Sequence, residues 1–186
     1  MGAAFMPVWL LIVYGIVSAM CIFSAVKLFS QDKKIYAKSA LAAYFFYLAV
    51  FLAIWIFQIH VPSYLLLLTM LTILGACFFG HYLGGYTKSK TFDRYLHGFG
   101  SFSFALLTYC VVDHYVNTGG SLLFRALFVF LTGNTLGVFF ELIEMVSDGK
   151  HSVKSQKGLQ DTDMDMLFNL MGSLLAGVFA YFWLLQ

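Results

Sequence analysis

Long apolar runs separated by short polar breaks dominate this chain of 186 residues. Six runs approach or exceed the roughly 20 apolar residues that a helix needs to cross the hydrocarbon core of a bilayer. They predict spans at 4–29, 40–59, 63–83, 92–116, 122–146 and 164–185. The breaks read SQDKKIYAKS, HVPS with Pro62, GGYTKSK, NTGG, and a longer polar stretch from Ser147 to Asp163. The runs are continuous and lack the alternation of a half-buried strand, so helices are favoured over a β-barrel. No internal repeat is visible. The pattern predicts an all-α fold: a polytopic membrane bundle of six transmembrane helices in one domain over 1–186.

Charge orients the spans. Lys27, Lys33, Lys34 and Lys38 cluster around the first break, Lys88, Lys90 and Arg94 around the third, and Lys150, Lys154 and Lys157 in the fifth. Only Arg125 lies on the other side. Positively charged loops stay in the cytoplasm, so these three loops are expected inside and both termini outside. The N-terminus has no basic region before its apolar run and reads as the first membrane helix, not a cleaved signal. A membrane, with the lipid bilayer as partner, is the expected location.

Composition narrows the classes further. Hydrophobic residues make up 61% of the chain and charged residues 11%, whereas about a quarter of a soluble domain is charged. The formal net charge of +2 sits in short loops and offers no surface for nucleic acid. Cys21, Cys77 and Cys110 fall inside apolar runs and read as small buried hydrophobes, not as a disulfide framework or metal motif. The oligomeric state is not legible.

Candidate chemistry gathers at one end of spans three to six. Glu141, Glu144, Asp148, Asp161, Asp163 and Asp165 are six of the nine acidic residues. Ionisable groups at a membrane boundary are costly and mark functional sites. His81 ends the third span. Thr91 is positioned to cap the fourth, with Asp93 in its first turn. Asp93 and His97 are four apart and share a face. Glu141, Glu144 and Asp148 form one helical stripe, and Asp161, Asp165 and Asn169 another if the last helix starts early enough. Gly172, Ser173, Ala176, Gly177 and Ala180 continue that helix as a small-residue surface for close helix contact.

Other polar residues have plainer readings. Asp163 and the lysines from Lys150 to Lys157 read as solvated loop charges, and His151 as an exposed loop residue. Asp148-Gly149 reads as a helix stop. His60, His114 and Arg125 read as groups of the outer interface.

Carboxylates that share a small low-dielectric space cannot all stay ionised without compensation. A divalent metal, bound protons or Arg94 would supply it. The candidate metal ligands are His81, Asp93, His97, Glu141, Glu144, Asp161 and Asp165, and such a set suits Mg, Mn, Zn or Fe. Asn169 accompanies them. His97, Asp93 and Glu141 are the catalytic candidates, and Arg94, Lys88 and Lys90 could attract a phosphate.

Four pieces, HYLGGY, FDRYLHGFGSF, FELIE and LQDTDMDMLFNLMGS, resemble the YjdF type of bacterial inner-membrane protein across spans three to six. The resemblance singles out His81, Gly84, Gly85, Asp93, Arg94, His97, Glu141 or Glu144, Gln160, Asp161, Thr162, Asp165 and Met166. The element of Asp165, Asn169 and Gly172 is also similar to one in VanZ-like proteins, which are linked to glycopeptide-antibiotic tolerance. Glu144, Asp148, Gly149, Gly158, Asp161 and Asp165 echo the metal motif of CDP-alcohol headgroup transferases, but the first spacing is one residue too long.

Three functions compete. The first is a metal-assisted enzyme acting on a lipid or polyprenyl-phosphate headgroup at the cytoplasmic face. The second is a non-enzymatic membrane factor with a structural polar core. The third, a proton-coupled transporter, ranks lower, because spans one and two carry no mid-span charge and no repeated halves are seen.

Overall fold

A computed structural model describes residues 7–150, 156 and 158–184, and every regular element among them is helical. In chain order they are α1 (Val8–Ser30), α2 (Lys34–Ile56), α3 (Ser63–Leu74) with a π-helical continuation over Gly75–Tyr82, the short α4 (Gly85–Lys88), α5 (Phe92–Val116), α6 (Leu122–Lys150) and α7 (Leu159–Phe179) with a π-helical end over Ala180–Leu184. Among the described residues, six helices are long and apolar enough to cross a membrane. The chain is therefore an all-α, multi-pass membrane protein. The readings for His151, Lys154 and Lys157 fall outside the described residues.

Helix ends differ from the apolar runs for local reasons. After α1, Asp32 adopts a left-handed conformation (φ 58°), and the Lys33 amide donates to the Leu28 carbonyl at 2.9 Å. A short polar side chain tolerates that conformation. The turn is complete within three residues, and α2 starts at Lys34, six residues before its apolar run. Pro62 precedes α3, where its missing amide costs nothing, and its carbonyl accepts from Leu65 at 2.9 Å. At the other end of this span, Gly84 (φ 80°) reverses the chain before α4.

The expected polar loop between the last two spans is shorter than its composition suggests. Asp148 and Gly149 lie inside α6, which runs to Lys150, so they do not stop the helix. Likewise α7 begins at Leu159, five residues before its apolar run. Asp163 is exposed but sits on that helix, not in a loop.

The chain divides into two compact units, 1–93 and 94–186, at the first turn of α5. In the first unit, α1, α2 and α3 with its continuation bury Leu10, Leu28, Tyr47, Leu65 and Met70. The hydroxyls of Ser24, Thr69 and Thr72 are satisfied close by. Ser24 donates to the Met20 carbonyl at 2.7 Å, and Thr69 meets the Tyr47 hydroxyl at 3.1 Å. Cys21 and Cys77 are buried free thiols, as their apolar settings suggest, while Cys110 of the second unit is partly buried.

The second unit is built differently. The buried face of α7 is Asp165, Asn169, Gly172, Ser173, Ala176 and Gly177, with Ala180 beyond them. This is the small-residue surface expected from the spacing, extended toward the chain's acidic end. A Cβ on Gly172 would collide with the Gly98 carbonyl of α5. On α6, a Cβ on Gly133 would stand 2.5 Å from the Ser173 hydroxyl, and one on Gly137 would stand 2.7 Å from the Asn169 side chain. Glycines on all three helices thus let backbones approach closely, which is how apolar helices associate in lipid.

Candidate metal centre

Helix α5 starts on a hydroxyl cap. The Ser89 Oγ accepts from the Phe92 amide at 3.1 Å and from the Thr91 amide at 3.3 Å. The hydroxyl found against the first amides is therefore Ser89, two residues before the expected Thr91. The cap fixes the first turn, which carries Asp93. His97 follows one turn later on the same helix, so the spacing of these two side chains is set by α5 itself.

Asp165 comes to them from α7. Asp93, His97 and Asp165 each offer a ligand atom, all within 4.8 Å of one another. Donors on one ion, at about 2.0–2.3 Å from it, stand at most about 4.5 Å apart. Small side-chain rotations would close the set around a cation. Asp93 is 7% exposed and Asp165 only 2%, too little for water to carry the whole neutralisation of both carboxylates.

A second layer surrounds this group. The His97 Nε2 lies 3.7 Å from the Glu141 Oε1, and Glu141 is buried. Gln156 holds Glu141 from the other side. Its Nε2 donates to the Glu141 Oε2 at 3.1 Å and to the Glu141 carbonyl at 3.2 Å. The Gln156 amide donates to the buried Asp148 Oδ2 at 2.9 Å. One residue between α6 and α7 therefore ties two carboxylates of α6 together.

Polarity falls off along the helices. On α7, Asp161, Asp165, Asn169 and Ser173 recur every four residues. The Arg94 Nη2 lies 4.0 Å from the Asp161 Oδ1. The Ser101 hydroxyl donates to the Asn169 Oδ1 at 2.6 Å, and the Ser173 hydroxyl donates to the Asn169 carbonyl at 2.6 Å. Charge gives way to amide and then to hydroxyl over three turns. In the remaining part of the second unit, the Asp113 carboxylate at the end of α5 accepts from the Thr118 amide at 2.9 Å and from its hydroxyl.

The sequence candidates thus occupy different places. Asp93, His97 and Asp165 come together, Glu141 faces His97, and Asp161 faces Arg94. Glu144 is partly buried on α6. His81 lies in the π-helical stretch, with the Tyr36 and Tyr86 rings 5.9 and 4.8 Å from its own. Lys88 donates to the Leu83 carbonyl at 2.7 Å and serves the helix end there. Gln156, Ser101 and the pair Gly133 and Gly137 were missed. The Gly-x-x-x-Gly spacing of that pair was readable. The role of Gln156 was not, because it depends on the path of the chain between helices.

Residues 9–186 match the family described as predicted membrane protein, DUF2238. The chain belongs to that family. An uncharacterized protein of Thermotoga maritima is 32% identical over 94 residues, which are 50% of this chain and 49% of that protein. The chain thus spans about half the length of the curated relative it matches. No solved structure matches. The DUF2238 match covers all six spans, so both compact units belong to the family's unit of sequence.

Proposed function

We propose that this DUF2238 protein holds a divalent cation on Asp93, His97 and Asp165 and uses it to act on a lipid or polyprenyl-phosphate headgroup. The supporting observation is the buried group itself: one imidazole among two carboxylates, with a third carboxylate, Glu141, behind it. Even a protonated His97 would leave that set net negative. Two carboxylates and an imidazole suit Mn, Fe or Zn. A cation there would polarise a phosphoryl oxygen or activate water, with His97 or Asp93 near the reacting atoms. The partly exposed Arg94 stands next to this group on α5 and would draw in an anionic headgroup. In this reading the chain lies in the bacterial inner membrane, its termini outside and the Lys-rich loops and the site at the cytoplasmic face. The YjdF-type and VanZ-like resemblances fit a bacterial membrane setting and leave the reaction open.

The test is metal-dependent turnover by purified, reconstituted protein. With Mn²⁺ it should release phosphate from a polyprenyl phosphate or diphosphate, and Asp165→Asn should abolish the release. A protein that binds the cation and leaves every such substrate intact would favour the second reading, a non-enzymatic membrane factor. That reading has its own support in the tightly packed glycine contacts beneath the site.

A further inference from the structure

One nitrogen of His97 already faces a carboxylate of another helix. Its Nε2 lies 3.7 Å from the Glu141 Oε1, while Asp93, His97 and Asp165 form the ligand group without Glu141. An imidazole has two nitrogens, and the partner of one decides which tautomer the other presents. Imidazoles that bind metals usually donate their second N–H to a carboxylate, carbonyl or water, which sets tautomer, ring angle and basicity. Such contacts are often long in an unliganded protein and tighten on binding.

Glu141 is itself held. Its Oε2 and its backbone carbonyl both accept from the Gln156 Nε2, and the Gln156 amide is anchored on Asp148. The α6 backbone, the Gln156 amide group and burial together restrict Glu141, so that Oε1 is the oxygen turned to His97. A solvated carboxylate would not impose a ring orientation. This one sits between two fixed partners.

We infer that Glu141 is a positioning residue: it takes the Nε2 hydrogen of His97 and so presents Nδ1 to a divalent cation shared with Asp93 and Asp165, while Gln156 keeps Glu141 in place. This rests on the cation reading proposed above. It assigns Glu141 to the second layer and not to the ligands, and it gives Gln156 a function through Glu141.

The experiment uses the full chain in detergent, with Zn²⁺ as the probe. Binding is followed by titration calorimetry, and the His97 tautomer by ¹⁵N NMR of histidine-labelled protein, assigned with His97→Gln. Wild type should bind one Zn²⁺ with His97 metallated at Nδ1 and protonated at Nε2. Glu141→Gln should weaken binding about 10- to 100-fold, the usual effect of losing such a carboxylate, and should mix the tautomers. Glu141→Asp should recover part of the affinity. Gln156→Ala should weaken binding less than Glu141→Gln and shift the tautomers in the same direction. It leaves all buried carboxylates in place, so it decides the matter even if Glu141→Gln folds poorly. If Zn²⁺ binds wild type and is lost in Asp165→Asn, but affinity and tautomer are unchanged in Glu141→Gln and Gln156→Ala, the positioning role is wrong and the cation site stands. If wild type binds no Zn²⁺, or Asp165→Asn binds it equally well, the cation site itself is wrong and the positioning role falls with it.

Discussion

The two compact units face the same apolar solvent and solve the packing problem differently. In the first, bulky side chains fill the interior: Leu10, Leu28, Tyr47, Leu65 and Met70 are all essentially inaccessible. On α1 to α3 its buried polar side chains are hydroxyls, and Ser24, Thr69 and Thr72 return their hydrogens to carbonyls one turn back. In the second, the helices approach through Gly98, Gly133, Gly137 and Gly172, and the interior carries Glu141, Asp148, Asp165 and Asn169. A hydroxyl can be satisfied by its own helix. A carboxylate cannot, and it must find donors or cations on other elements. The first three spans therefore read as scaffold, and the last three as the part that commits stability to a site.

That contrast can be broken at several points. The largest expected effect is at His97. Replacing it by Leu removes the imidazole from Glu141 and from the Asp93–Asp165 pair, and leaving a buried polar group without its partner costs about 1–3 kcal/mol for each, more where that group is charged. Folded yield should collapse in a fluorescence-detected chromatography screen. Next comes Gly172→Ala, whose Cβ meets the Gly98 carbonyl. Overpacking of this kind costs about 1–3 kcal/mol, and a clash against backbone belongs at the top of that range. Gly15→Ala is its control in the first unit, where an added Cβ meets nothing within 4 Å. It should melt at or slightly above the wild-type temperature. If Gly172→Ala melts like wild type, the close packing of α5 and α7 is refuted.

Smaller effects separate the two kinds of polar contact. Thr69→Val removes the bond to Tyr47 in the first unit and should cost about 1 kcal/mol, within the range for hydrogen bonds between membrane helices. Ser101→Ala removes a bond to the Asn169 side chain and should cost a similar or slightly smaller amount in thermal melts. It should also weaken cation binding at Asp165, one turn from Asn169, only slightly. A loss of cation binding as large as that of Asp165→Asn would mean that the site extends deeper along α7 than the carboxylate pair.

The sequence carried most of the fold, because run length is a strong signal in lipid: the bounds of α5 and the starts of α3 and α6 coincide with the apolar runs. The starts of α2 and α7 were not legible. There the helix is polar for its first one to two turns, and only a local turn such as that at Asp32 shows where it begins. For the site, the four-residue spacings placed Asp93 with His97 and Asp165 with Asn169 on shared faces. Periodicity identifies a face but not the helix it meets. The division of the acidic residues among a carboxylate–imidazole group, an Arg94 partner and a Gln156 anchor came only from the three-dimensional arrangement.

The most direct test of the account is the metal content and thermal stability of purified wild type and Asp165→Asn, each with and without a chelator. If Asp93, His97 and Asp165 hold a divalent cation, wild type should contain it stoichiometrically and lose both metal and several degrees of melting temperature to the chelator. Asp165→Asn should contain none, melt lower than untreated wild type and ignore the chelator. A metal-free wild type whose melt is indifferent to chelator, with Asp165→Asn equally or more stable, would contradict the account, because protons would then be neutralising the buried carboxylates.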